Sequence, residues 1–122
     1  MSPHRFEVRV YYEDTDAAGI VYYASYLRFA ERARTELLRS RGFDHPGLVT
    51  SSGGVFAVTR CAVRYLAPAR LDDLLTIETT VERAAGARLD LLQMVAREGL
   101  PIARLEVDLA FLGGDLRPRR LP

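Results

Sequence analysis

The chain contains no lysine; all 17 of its basic residues are arginine. Schiff-base chemistry on a lysine amine is therefore excluded, and so is a phosphate-binding loop built on a lysine. Cysteine is almost missing as well. The one thiol, Cys61, can form no intrachain disulfide and supplies no zinc-binding spacing, which leads to the expectation of a reducing compartment, the cytoplasm. Histidine occurs only at His4, near the amino terminus, and at His45, in a Pro/Gly loop, so a nucleophile–histidine–acid triad has few possible members. No uncharged run approaches the roughly 20 residues of a membrane span, and the first ten residues alternate charged with apolar positions instead of forming a signal segment. An excess of either charge is absent too: 17 basic against 16 acidic residues leave a formal net charge of +1, too balanced for a protein whose main partner is nucleic acid.

What is present is ordinary globular material, 122 residues with 48% hydrophobic and 27% charged side chains. That length fits one domain, residues 1–122. A domain this small removes only about two thirds of its unfolded surface from water, which favours further burial by oligomerisation.

Phe6, Val8, Val10 and Tyr12 alternate with mostly charged residues, which predicts a strand over 5–13. Asp14, Thr15, Asp16 and Gly19 then break the alternation as turn formers. From about Tyr23 to Arg41, Tyr26, Phe29, Ala30, Ala33, Leu37 and Leu38 recur every three or four positions, the mark of an amphipathic helix, and Gly42 is placed to end it. A loop is expected over 42–54. Four strand-like segments follow. The first puts Val55, Ala57, Thr59, Cys61, Val63 and Tyr65 on one face; the second puts Leu75, Ile77, Thr79 and Val81 on one face. The last two, about 87–98 and 101–112, are punctuated by Gly86 and Gly99. Short Gly-containing connections imply antiparallel neighbours. One helix with one apolar stripe and one sheet with one apolar face are satisfied together when the sheet curls around the helix, an α+β domain of two layers.

Few residues can carry chemistry. Cys61, in mid-strand on the apolar face, reads as a small buried hydrophobe. No metal-ligand spacing is present, and no cofactor is expected. The segment from Tyr12 to Tyr23 stands apart, because it sets two carboxylates, Asp14 and Asp16, just ahead of a long helix. Unpaired amides and the macrodipole at a helix start attract negative charge, so a carbonyl lodged there would be polarised with a carboxylate within reach. The same residues also read as caps and turn formers without chemistry.

The run Tyr12-x-x-Asp-Thr-Asp16-x-x-Gly19-x-Val21-Tyr-Tyr23-x-x-Tyr26, followed by Glu31-Arg-Ala-Arg-Thr-Glu36 and by Tyr65-x-Ala-Pro-Ala-Arg-Leu-Asp-Asp73, resembles the hotdog-fold acyl-CoA thioesterases. Within them it is most similar to the Tol-Pal-associated and 4-hydroxybenzoyl-CoA thioesterases. The resemblance implies a hotdog fold, one long helix wrapped by about five antiparallel strands, and hydrolysis of an acyl-CoA, with a short-chain aliphatic or an aromatic acyl group, to free acid and CoA. It implies Asp16 as the catalytic carboxylate, either nucleophile or general base, and the backbone amide of Tyr23 as the donor that polarises the thioester carbonyl. Tol-Pal relatives commonly carry histidine where this chain has Tyr23, whereas the benzoyl-CoA cousin has tyrosine. Gly19, Val21 and Tyr26 are assigned to the acyl site, with Phe56, Tyr65 and Leu66 as further lining. Arg60 and Arg88 are the candidates for the CoA phosphates, with Arg64, Arg83 and Arg119 behind them. CoA enters as part of the substrate. Hotdog subunits usually join sheets edge to edge, so a homodimer assembling to a homotetramer is expected. Two alternatives stay open on the sequence: a non-catalytic acyl-CoA or protein-binding module, and a hydroxyacyl-thioester dehydratase.

Overall fold

A computed structural model describes residues 2–42 and 53–122. The elements run β1 (His4–Arg9), a one-turn 3-10 helix (Tyr12–Asp14), α1 (Ser25–Ser40), β2 (Val55–Tyr65), β3 (Leu74–Ala85), β4 (Arg88–Arg97) and β5 (Leu100–Leu112). The strands form one antiparallel sheet in the order β1-β3-β4-β5-β2. Two-residue connections join β3 to β4 and β4 to β5. At the second, Glu98 and Gly99 have φ of 48° and 81°, the left-handed pair that a tight hairpin turn needs. The α+β architecture expected from the sequence is the one observed.

The elements differ from expectation at their ends, each for a local reason. β1 stops at Arg9 because the Val10 amide turns to the Asp73 carbonyl (2.9 Å) and the Tyr11 amide donates to the Asp14 carboxylate (2.8 Å), which starts the 3-10 turn. Val10 is fully buried as expected, but Tyr12 is exposed in that turn instead of facing inward. The helix begins at Ser25, two residues later than its periodicity suggests, since Tyr23 and Ala24 belong to a turn. Gly42, at φ 82°, ends it, its amide bonded to the Arg39 carbonyl (3.0 Å). The loop expected over 42–54, with His45, falls mostly on residues 43–52, outside the described ones.

Phe29, Ala30, Ala33 and Leu37 of α1 are buried against Leu75, Ile77, Leu91, Val95, Leu105 and Val107 from the concave face of the sheet. Each fully buried Leu or Phe contributes about 1.5–3 kcal/mol. One polar group lies in this layer. Gln93, wholly buried on β4, donates from Nε2 to the Ala30 carbonyl (2.9 Å) and the Thr79 hydroxyl (3.1 Å), and its Oε1 accepts from Arg34 (3.1 Å). A buried amide left unpaired would cost about 1–3 kcal/mol, so these bonds fix the helix to the sheet at one register.

Three register shifts interrupt the strand pairing, one of them at Ile102 of β5, between the pairs Val95–Ala103 and Ala96–Pro101. In β2 the extra residue is Thr59, between the pairs Val58–Leu109 and Arg60–Asp108; in β3 it is Glu82, between Val81–Leu91 and Arg83–Asp90. The bulge at Thr59 overturns the face predicted for β2. Phe56 and Val58 lie opposite Phe111 and Leu109, and Cys61 and Val63 lie opposite Val107 and Leu105, so the inward side changes parity at Thr59 and leaves Val55 and Ala57 on the other side. Cys61, expected to be buried, is exposed. The reason is the placement of α1, which packs most closely on β3 and β1 and leaves Val58 and Cys61 of β2 exposed.

Candidate active site

The loop between the 3-10 turn and α1 is shaped almost entirely by backbone. The Asp16 amide donates to the Ile20 carbonyl (2.9 Å), the Gly19 amide to the Asp16 carbonyl (3.0 Å), and the Ala18 amide to Asp16 Oδ1 (2.8 Å). Gly19 sits at φ 77° with open space around it, so it is required by the backbone conformation and not by crowding. Bridges from Thr15 to Val21 and from Ile20 to Arg70, with the Val21 amide on the Ala69 carbonyl (2.8 Å), fasten the returning arm to the segment after β2.

Asp14 and Asp16 have opposite surroundings. Asp14 is buried; its carboxylate takes the Tyr11 amide, while its carbonyl accepts from the Tyr22 amide (2.9 Å) and the Ser25 hydroxyl (3.2 Å). It is a structural hub, as its assignment to the turn implied. Asp16 is exposed at the loop tip, and among the described residues no donor occupies its second oxygen.

Beside this loop lies a cavity of about 300 Å³ lined by Val21, Tyr23, Tyr26, Tyr65, Leu66 and Pro68, together with Ile20 and Ala67. Of the residues picked from the sequence, the fold brings Val21, Tyr23 and Tyr26 to its wall, with Tyr65 and Leu66. Gly19 and Asp16 are not on the wall; they stand on the loop whose Ile20–Val21 arm borders it. The Tyr26 hydroxyl accepts from the Ala69 amide (3.3 Å), and burial pushes its phenol above the ordinary range. The rings are mutually braced: Tyr23 meets Tyr65 edge-on at 6.2 Å between centroids, and Tyr26 lies 5.7 Å from Tyr65. Among the described residues nothing accepts from the amides of Tyr23 and Ala24, the last two before the helix.

Phe56 is elsewhere. It borders a smaller groove with Leu37, Leu89 and Leu121, where its ring packs on Phe111. Arg60 and Arg88 are not brought to the Tyr23 cavity either. Both lie at Asp108 on the convex side of the sheet, Arg60 at 3.8 Å and Arg88 at 3.7 Å, and Arg88 also binds Asp90 (2.8 Å). Sequence reasoning placed them by location along the strands, which says nothing of the side of the sheet once a bulge intervenes. It also missed Asp73, whose carboxylate accepts from the Arg70 amide (2.8 Å) and from Arg97 (2.8 Å). Against the upward push of burial, these partners hold that carboxyl below its usual range. Among the described residues no three His, Cys, Asp or Glu side chains gather as for a metal ion, and no helix is long and apolar enough to cross a membrane.

Relatives share this architecture over nearly the whole chain. Acyl-CoA thioesterase YbgC of Haemophilus influenzae is 43% identical over 118 residues, 96% of this chain and 87% of the relative. Acyl-CoA thioester hydrolase YbgC of Escherichia coli O6:H1 is 43% identical over 120 residues, 97% and 89% of the two chains. The crystal structure of a probable thioesterase from Bartonella henselae superposes with a TM-score of 0.94 at 38% identity, covering 99% of this chain and all of that one. The fold is the hotdog fold that the motif suggested. Residues 10–122 match the family described as the Thioesterase-like superfamily, to which this chain therefore belongs.

Proposed function

We propose that this protein hydrolyses acyl-CoA thioesters: water adds across the C–S bond, the acyl group leaves as a carboxylic acid and CoA as the thiol. The observation that carries this reading is the pair of amides at Tyr23 and Ala24, unengaged among the described residues and set just ahead of α1, where Tyr23 lines an apolar cavity of about 300 Å³. A thioester carbonyl placed there would develop its negative charge against amides and the positive end of the helix dipole. Donors of this kind contribute about 3–4 kcal/mol to the transition state. Asp16 supplies the carboxylate, as nucleophile on the carbonyl carbon or as base for water. Its Oδ1 is steadied by the Ala18 amide, which leaves the other oxygen to react. A thiolate leaves near neutral pH with little protonation, so no histidine is needed beside Asp16.

Asp16 does not line the cavity but stands on the loop whose Ile20–Val21 arm does, and part of the concave side of β2 is open, with Val58 half exposed and Cys61 accessible. A second copy pairing along the β2 edge would cover those side chains and enclose the loop, giving a homodimer that assembles further to a homotetramer. Val21 and Tyr26 then belong to the acyl end of the site and Gly19 to the loop that carries Asp16. Arg60 and Arg88 reach CoA phosphates only from a neighbouring subunit's side. CoA comes and goes with the substrate, and no resident cofactor takes part. The single cysteine fits a cytoplasmic enzyme.

The test is release of free thiol from a panel of aliphatic and aromatic acyl-CoAs, followed with a thiol-detecting reagent on the native chain and on Asp16→Asn. Turnover that falls at least about a hundredfold in the variant supports the reading. Hydrolysis unchanged by the substitution, or none by the native chain on any acyl-CoA, removes it.

A further inference from the structure

Residues 22–25 form the turn that presents the two unengaged amides, and three of its backbone anchors are local. The Tyr22 amide and the Ser25 hydroxyl both reach the Asp14 carbonyl, and the Ser25 amide closes on the Tyr22 carbonyl (2.8 Å). These bonds fix the two ends of the turn. Its middle peptide, between Tyr23 and Ala24, has one attachment among the described residues. The Tyr23 carbonyl accepts from the Tyr65 hydroxyl (3.1 Å), a group 42 residues away at the last position of β2. Without that bond the middle peptide could rotate about its two flanking dihedrals while both ends stayed in place, since a peptide plane turns as a unit.

The structure assigns Tyr65 as a positioning residue for the reaction, its hydroxyl holding the Tyr23–Ala24 peptide so that the Ala24 amide keeps one orientation beside the Tyr23 amide. This rests on the reading of the Tyr23 and Ala24 amides as the polarising donors. The orientation of the Ala24 amide is set directly, because it belongs to the held peptide. That of the Tyr23 amide is set by its own peptide, whose Tyr22 carbonyl takes the Ser25 amide. Pre-oriented dipoles stabilise developing charge without reorganising at the moment of reaction, so a loosened peptide lowers the chemical rate and leaves ground-state binding nearly untouched. The ring of Tyr65 has a separate task. Edge-on to Tyr23 and tilted against Tyr26, it forms part of the cavity wall, and it does so whether or not the hydroxyl is present. Burial also pushes the Tyr65 phenol upward, so the donor keeps its proton throughout the working range of a thioesterase.

The two tasks separate by substitution. Tyr65→Phe keeps the wall and removes the donor; Tyr65→Leu removes both. Both are compared with the native chain and Asp16→Asn on one short aliphatic and one aromatic acyl-CoA, with thermal melting run in parallel. The expected result for Tyr65→Phe is a kcat lowered about tenfold on both substrates, with KM within twofold and an unchanged melting temperature. Tyr65→Leu should show the same fall in kcat and, in addition, a KM change that differs between the two acyl groups. A Tyr65→Phe protein with native kcat, or with its change confined to KM, overturns the assignment, and so does one whose loss of rate follows a loss of folded protein. Should Asp16→Asn be inactive while Tyr65→Phe is fully active, only this inference fails. Should Asp16→Asn retain the native rate, the reading of the site fails, and this inference with it.

Discussion

At the β1 edge of the sheet, the concave side is finished within the chain: α1 lies over β3 and β1, and Phe29, Leu75 and Ile77 are wholly buried beneath it. At the β2 edge, the corresponding side chains Val58, Cys61 and Tyr65 remain exposed, as does Leu27 on the facing side of the helix. The cavity that meets Tyr23 lies toward the second edge. A small domain thus uses α1 for stability at one side and leaves the other open beside the candidate site. The closed half should answer to mutation in stability, the open half in activity and association.

The largest effect should come from the closed half. Phe29→Ala removes a fully buried ring and is expected to cost about 3–5 kcal/mol, read from chemical denaturation. A loss below about 1 kcal/mol would mean that the helix does not close that edge. Next is Asp16→Asn in the open half, where kcat should drop about a hundredfold or more while the melting temperature holds, since Asp16 is exposed and bonds only within its own loop. Loss of stability instead would make Asp16 part of the scaffold. Val58→Arg then probes association: a charge set into an interface without a partner should weaken self-association at least about tenfold by sedimentation, with the stability of the single chain changed by less than about 0.5 kcal/mol. A native sedimentation profile would show that this edge is not where copies meet. The smallest effect is electrostatic. Because Asp73 has its carboxyl held down by the Arg70 amide and Arg97, its contribution is complete above the ordinary carboxylate pKa and fades as pH falls through the lowered one. For a partly buried pair at the surface it is worth about 1 kcal/mol, and Asp73→Asn should flatten the acid limb of a stability–pH curve by that amount.

Much of this could be read from the residues in order. Regular alternation placed β3 and β5, three- and four-residue spacing placed the buried stripe of α1, and Gly42, Gly86 and Gly99 marked turns because their backbones do adopt positive φ. The motif located the strand-to-helix junction. The failures share one cause, an effect that acts across strands instead of along the chain. A single extra residue at Thr59 changed the parity of β2, so Val55 and Ala57 were put on the wrong side. Exposure of Cys61 depends on where a helix from another part of the chain comes to rest. The bond from Tyr65 to Tyr23 joins residues whose separation carries no periodic signal. Arg60 and Arg88 look like free cations in sequence because their carboxylate partners, Asp90 and Asp108, come together only when β4 pairs with β5.

The bulges at Thr59 and Glu82 have a geometric consequence. Arg83, Asp90, Asp108 and Arg60 stand in one line running straight across β3, β4, β5 and β2, and the surplus residues Glu82 and Thr59 adjoin the two ends of that line. The sheet is thereby scored along a single fold line, as card is before bending. Its concavity is written into the lengths of the outer strands of this group and is not impressed by the helix that fills the hollow. Excising both surplus residues together should flatten the hollow even with every core side chain in place.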